Sequence, residues 1–382
     1  MLIAMWFFRS PEIVFGEDSL SYLSTLDLKR VVIVTDRYLK ESKVISMVKN
    51  SLPASAQMIV VGDVPAEPSF DDMLPSLENV RNFSPDWFIA VGGGSSIDTA
   101  KILFALYERP DLSVYDITPI VKLNLRKKSR LIAIPTTSGT GSECSWAAVV
   151  SERGEKRKNE LASKEILPDI AILDPKMVID LPEEQTRNTA TDAIVHAIES
   201  YVSSWRNPYS DALAEKAIEL ITGNLPSVLI KADNIKAREQ VHIGASMAGL
   251  SFSNSQIGLA HALGHAFGAL FKIPHGKSVG IFLPSVVRFN YPYCSDRYDR
   301  LNAIFPEDIR EKKLDLTLEN FLNKIGQPLK IHQMGIDEKN YSNQVETIVE
   351  LASESTGITT NPRDANREDI RNIAMSVVNL SK

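Results

Sequence analysis

The sequence predicts an α/β domain on a parallel sheet followed by an all-helical domain, and three observations lead there. Short apolar runs, each ended by a turn or cap residue, recur up to about Leu181. Amphipathic helical stretches separate the earlier runs, and beyond Leu181 the strand-like runs stop. Apolar runs alternating with helices mark strands buried on both faces, because the crossover helices of a parallel sheet cover both sides. The boundary divides the chain into residues 1–182 and 183–382, expected to pack tightly with a cleft between them.

The elements follow in order. MLIAMWFF at the start reads as a strand: it lacks a basic leader and breaks at Arg9, too soon for a signal or a membrane span. RVVIVTD (30–36), MIVVGDV (58–64), WFIAVGG (87–93), RLIAIPTT (130–137) and DIAILDP (169–175) read as buried strands. SKVISMVKNSL and DDMLPSLENVRNF carry helical periodicity between them. From Glu183 onward the pattern is helical, with breaks expected at Gly223-Asn224, Asn254, Pro274, Pro292, Pro306 and Gly335.

Composition narrows the partners. At 382 residues the chain is long enough for two domains, and 44% hydrophobic with 24% charged residues is ordinary for a globular protein. A net charge of −6 argues against nucleic acid bound through a broad basic face. RKKSR (126–130) is the one compact basic run and reads as a solvated loop before a strand. Cys144 and Cys294 are too few for a disulfide framework. No membrane segment is expected, and the protein is expected to be cytoplasmic.

Two polar turns stand out in the first half. AVGGGSSIDTAKILFAL puts three glycines after a strand and opens a helix at Ser95-Ser96. Glycines let the backbone approach an anion, and the unpaired amides and dipole of a helix N-terminus favour negative charge there. This is not the G-x-G-x-x-G pattern, and alone it reads equally as a tight strand-to-helix turn. IPTTSGTGSEC (134–144) is a second such turn, rich in hydroxyls and glycine. Two of them at strand carboxyl ends are what a Rossmann-like dinucleotide crevice needs. Asp36, closing RVVIVTD, suits a ribose diol and would repel a 2′-phosphate, or else caps the next helical segment.

The second half concentrates a different chemistry. Asp192 and His196 stand four apart in TDAIVHAIESYV, on one helix face and about 6 Å apart along the axis. LAHALGHAFGALFKIPHGKSVG carries His261 and His265 at the same offset, then His275 after a proline. One carboxylate with three imidazoles suits Fe(II), Zn(II), Co(II) or Ni(II) and is too rich in nitrogen for Mg(II) or Ca(II). Spacing leaves open which of the second segment's histidines ligate. His242 and His332 read as core histidines.

GGGSSIDTAK, PTTSGTGSE, DAIVHAIESY and HALGHAFGALFKIPHG, with LPDIAILDP and IFLPSVVRFN, together resemble the iron-containing (group III) alcohol dehydrogenase family along nearly the whole chain. The resemblance implies an N-terminal NAD-binding α/β domain and an all-α catalytic domain, the dehydroquinate synthase-like architecture. It also implies Asp192, His196, His261 and His275 as ligands of one divalent ion, Fe(II) before Zn(II), with His265 a non-ligand beside the substrate. It places Gly93, Gly94 and Ser95 at the pyrophosphate and Thr136, Thr137 and Ser142 along the cofactor. Asp36 falls at the adenosine ribose, and Asp98 and Lys158 on the nicotinamide side. Phe252 resembles a substrate-pocket position, and Trp146, which also flanks the motifs, is expected to wall the same apolar pocket. The chain departs in reading Thr189-Ala190-Thr191-Asp192 where many members have glycine at the second position. The implied function is reversible hydride transfer between a small primary alcohol or aldehyde and NAD, NADP being disfavoured, by a homo-oligomer, a dimer or a multiple of dimers. The rivals are polyol oxidation of the glycerol dehydrogenase type, a lyase resembling dehydroquinate synthase, and a non-catalytic dinucleotide-binding relative.

Overall fold

The computed structural model describes residues 7–65, 68–151 and 158–378. The described residues form two compact units, one running from Arg9 to Leu181 and one of residues 182–378, which Phe7 and Phe8 join. Phe8 enters the second unit by setting its ring against Tyr209, centroids 5.4 Å apart.

The first unit is the predicted α/β sheet. Its strands are β1 (Glu12–Phe15), β2 (Arg30–Asp36), β3 (Gln57–Val64), β4 (Trp87–Gly92), β5 (Arg130–Pro135), β6 (Ala147–Ser151), β7 (Lys158–Ala162) and β8 (Ile170–Leu173). Six make one sheet in the order β1-β8-β5-β4-β2-β3, and every pair in it is parallel. Its helices are α1 (Lys43–Asn50), α2 (Phe70–Phe83) and α3 (Gly94–Glu108). Alternate residues of one strand serve opposite faces. Val31 and Ile33 meet Val44, Ile45 and Val48 of α1, whereas Val32 and Val34 join the core that holds Met73 and Leu77 of α2 and Ile97 of α3. Both faces are therefore dry, as continuous apolar runs require.

Two details depart from expectation and a third adds to it. Residues 1–6 of the proposed first strand lie outside the described residues, and Phe7 and Phe8 are not strand; the first strand is β1, which pairs with β8 at the sheet edge. An antiparallel β6–β7 hairpin stands apart from the main sheet. RKKSR is the expected exposed loop into β5, with the addition that its backbone is held: the Lys127, Lys128 and Ser129 amides all donate to the Glu108 carboxylate.

The second unit comprises α4 (Glu183–Val202), α5 (Pro208–Ile230), α6 (Ile235–Ser253), α7 (Leu259–Phe271), α8 (His275–Gly280), α9 (Leu283–Ile304), α10 (Leu314–Lys324), α11 (Glu338–Ser353), α12 (Gly357–Thr360) and α13 (Arg367–Met375). Among the described residues none is long and apolar enough to cross a membrane. Gly223-Asn224 does not break α5. A buried stripe of Ile218, Ile221, Leu225 and Val228 carries the helix through, and Asn224 Nδ2 donates to the Leu220 carbonyl at 2.8 Å. Pro292 kinks α9 instead of ending it, with Cys294 in non-helical geometry. α4 is buried on all sides from Ala190 to Val202, so polar groups on it are held inside the core.

His332 is exposed, not a core residue, while His242 on α6 is buried. Burial pushes the His242 imidazole down to about 4. An unfolded chain takes up that proton near 6.5, so acid favours unfolding between these values. The penalty grows as pH falls and reaches on the order of 3 kcal/mol near the folded value. Urea midpoints of the wild type and His242→Gln should therefore converge, or cross in the variant's favour, between pH 7 and 4.5. A constant gap across that range would refute the assignment.

Candidate metal centre and phosphate-binding turns

Asp192 and His196 lie one turn apart on buried α4. His261 is the third residue of α7, and Pro274 ends the intervening turn so that His275 opens α8. Close packing brings these helices together: a Cβ on Gly276 would stand 1.8 Å from the Asn188 carbonyl oxygen of α4, and one on Gly280 2.6 Å from Thr191. No side chain fits at Gly276, the residue after His275.

The nitrogens converge on one oxygen. Asp192 Oδ1 lies 3.2 Å from His275 Nε2, 3.4 Å from His261 Nε2 and 3.8 Å from His196 Nε2. Among the described residues, Asp192, His261 and His275 offer ligand atoms all within 4.8 Å of one another. His196 falls outside that tightest set. Its ring stacks between those of His261 (4.5 Å) and Phe252 (4.2 Å). Asp192 Oδ1 and His261 Nε2 are buried without a hydrogen-bond partner. Atoms each bound at about 2.1 Å to one ion sit roughly 3.0–3.4 Å apart, which the two shortest approaches match. The donor set therefore fits a divalent transition metal. His275 keeps 42% of its side chain exposed, so the centre is open on that side. His265, one turn along α7, sets its ring 5.1 Å from that of His275 and 5.8 Å from that of His261.

Electrostatics favour ligation. Burial alone would raise the Asp192 carboxyl, but His196, His275 and His261 hold it well below the usual carboxylate range. Burial drives His196 down to about 3, keeping a neutral imidazole. Burial also opposes charge on His261, yet the Glu199 and Asp192 carboxylates raise it to about 9. A metal would replace that proton on Nε2, because Nδ1 is held by Glu199 Oε2 at 2.6 Å. Glu199 was not singled out from sequence. Its signal was a third polar residue, seven after Asp192, on the same face of a helix otherwise buried.

In the sheet unit, the carboxyl ends of β5, β4 and β2 are neighbours, and each carries one of the predicted motifs. Gly92 closes β4 at φ +150°, and a Cβ there would lie 2.4 Å from Ser96 Oγ, so only glycine suits the turn. α3 then starts at Gly94 with no side-chain cap on its N-terminus. Gly93, Gly94 and Ser95 are half-buried there. The second turn packs against the first: Cβ positions on Gly93 and Gly94 would lie 3.4 Å from Thr137 Cγ2 and 3.1 Å from Thr140 Cγ2. Thr137 Oγ1 is buried without a hydrogen-bond partner, and the amide of buried Thr136 donates to the Gly92 carbonyl. A helix start without a side-chain cap and an orphan hydroxyl, both beside glycines, fit a phosphate-bearing ligand.

Asp36 holds its own turn and is not the cap of the next helix, since Ser42 caps α1. Oδ1 accepts from the Tyr38 and Leu39 amides (2.8 and 3.0 Å), while Oδ2 faces Gly92, 3.6 Å from where a Cβ would be. Asp98 and Ser142 are drawn inward. Ser142 Oγ donates to Asp98 Oδ1 at 2.5 Å, and the Val149 amide donates to Oδ2 at 2.9 Å. The organiser is Lys101, fully buried, whose ammonium donates to Ser142 Oγ (2.9 Å), Ser145 Oγ (3.2 Å) and the Ala147 carbonyl (2.7 Å). Lys101 passed as an ordinary helix residue in sequence. Lys158 begins β7, and its side chain lies outside the described residues. Trp146 is half-buried between the second turn and β6, and Phe252 covers His196 in the helical unit.

Known proteins share this plan. Residues 10–175 match the family model described as iron-containing alcohol dehydrogenase, and residues 186–378 match that of the Fe-containing alcohol dehydrogenase family, C-terminal. An alcohol dehydrogenase of Thermococcus barophilus is 36% identical over 378 residues, 96% of this chain and 98% of that one. An NADPH-dependent butanol dehydrogenase of Clostridium saccharobutylicum is 34% identical over 380 residues, 97% of each chain. The solved structure of an iron-containing alcohol dehydrogenase from Thermococcus thioreducens, 33% identical, has a TM-score of 0.88 over 98% of this chain and 99% of that one. With both halves matched and relatives above 30% identity along almost its full length, the chain belongs to the iron-containing alcohol dehydrogenase family.

Proposed function

We propose that this oxidoreductase interconverts small primary alcohols and aldehydes with NAD(H) in preference to NADP(H), using Fe(II), or Zn(II) in its place. The observation that carries the reading is the convergence of three imidazoles on Asp192 Oδ1. Asp192, His196, His261 and His275 would hold the ion. When bound, such an ion supplies Lewis acidity toward an alcohol or carbonyl oxygen. The residues around it do the rest. His265 is half-buried beside the exposed His275 ring and is placed to relay the hydroxyl proton. Phe252 walls the His196 side with an apolar surface, which suits a short uncharged substrate. The butanol dehydrogenase of Clostridium saccharobutylicum is a relative acting on a substrate of that kind.

Gly93, Gly94 and Ser95 receive the pyrophosphate at the start of α3, and Thr137 supplies a hydroxyl to it. Thr136, Ser142 and Asp98 hold the shape of the turns through their internal bonds, with Asp98 and Lys158 on the nicotinamide side and Trp146 toward the substrate. The sheet unit, taken as residues 1–182, binds the cofactor, and residues 183–382 bind the metal. The protein works as a cytoplasmic homo-oligomer. Asp36 favours NAD, although the Clostridium saccharobutylicum relative is named for NADPH. Kinetics after reconstitution with Fe(II) or Zn(II), across short alcohols and aldehydes with both cofactors, test the whole reading. Metal-dependent turnover of a short primary alcohol is expected; turnover indifferent to metal and chelator would overturn it.

A further inference from the structure

We infer that Glu199 is the positioning residue that aims His261 at the ion, by accepting the Nδ1–H hydrogen bond and leaving Nε2 as the ligating nitrogen. The inference rests on the metal reading proposed above. Glu199 is 4% exposed on α4, three residues beyond His196 and on the same helix face. Its Oε2 accepts from His261 Nδ1 at 2.6 Å and from the Gly258 amide at 2.9 Å, and Oε1 accepts from the Ala260 amide at 2.5 Å. Those amides belong to the N-cap and second residue of α7, a helix that no side chain of its own caps. Gly258 admits this approach, since a Cβ there would stand 3.0 Å from Glu199 Oε1.

One carboxylate therefore ties the start of α7, and the imidazole on its third residue, to the helix that carries Asp192 and His196. An ionised carboxylate only accepts, so the imidazole proton is fixed on Nδ1. The other tautomer would set a lone pair against an anion. Nε2 is then left facing Asp192 Oδ1 at 3.4 Å with no hydrogen bond of its own. A carboxylate behind a ligating histidine typically changes metal affinity about 10–100-fold.

Glu199→Gln isolates this role, because an amide has one accepting end where the site needs two. With its oxygen toward His261 and Gly258, the NH₂ meets the Ala260 N–H. Reversed, the NH₂ meets Nδ1 and forces the proton onto Nε2, which silences the ligand. Co(II) titrated into the metal-free full-length variant at 25 °C should bind about 10–100-fold more weakly than to the wild type. The visible spectrum of the bound Co(II) should change as the His261 nitrogen leaves its place, in protein whose melting curve shows it fully folded at that temperature. If Glu199→Gln shows no cooperative melt, Glu199→Asp, which retracts the carboxylate by one methylene, carries the same test. A wild-type dissociation constant would overturn the inference. So would weaker binding with an unaltered spectrum, which would make Glu199 a distant charge and no more. Failure of the wild type itself to take up Co(II) would strike down the proposed metal centre, and this inference with it.

Discussion

His261→Ala and His275→Ala are each expected to strip the protein of its divalent ion and to lower kcat/KM by at least about 10³-fold. A Lewis-acidic ion contributes several kcal/mol to such a transition state, and each 1.36 kcal/mol is a factor of ten. The two variants should part company in stability. His275 keeps 42% of its side chain exposed, so water can take its place beside Asp192, and the metal-free melt should fall less than that of His261→Ala. His261 is 1% exposed and donates to the buried Glu199 carboxylate. Removing it takes away a buried carboxylate's partner, at about 1–3 kcal/mol, and the melt should fall. Elemental analysis, steady-state kinetics and thermal melts on both variants read the three quantities together. Full turnover by a metal-free His275→Ala protein would defeat the ligand assignment.

The second large effect concerns the cofactor. The wild type should use NAD over NADP by at least about tenfold in kcat/KM, and Asp36→Asn should erase most of that difference. A 2′-phosphate carries nearly two negative charges, and two unit charges 4 Å apart repel by about 4 kcal/mol at an effective dielectric of 20, less after screening. Asparagine is the informative replacement because Oδ1 already accepts from the Tyr38 and Leu39 amides. An amide oxygen preserves both bonds while the charge disappears, so the turn at the end of β2 stays formed. Equal use of both cofactors by the wild type would show that Asp36 does not meet the ribose.

What sequence made legible follows from burial. β2, β4, β5 and β8 are covered on both faces and betray themselves as continuous apolar runs. The edge strand β3 keeps enough apolar residues to read the same way, although Gln57, Met58 and Asp63 are exposed. β1 offers four residues, EIVF, none of them fully buried, at the edge of the sheet, and the more apolar MLIAMWFF before it drew the assignment. The β6–β7 hairpin has a half-charged second strand, KNELA, and lies off the main sheet. Gly223-Asn224 misled because local propensity yields to the packing of Ile221 and Leu225. The site divides in the same way. Asp192, His196, Asp36 and the glycine turn are local patterns and could be read directly. Glu199 and Lys101 act through partners 62 and 41 residues away, and such distances leave little trace in a window of sequence.

Phe8 and β1 find their partners late in the chain. β1 finds its partner only in β8, the last strand of the sheet, and Phe8 meets Tyr209 of the helical unit. A ribosome adding roughly 5–20 residues per second would expose Phe8 about ten to forty seconds before Tyr209 emerges. During that interval Phe8 lacks the ring it packs against and is open to chaperones or to the same residue on an adjacent nascent chain. Synthesis speed and early chaperone access, more than the strength of the finished fold, would then govern the yield of native protein.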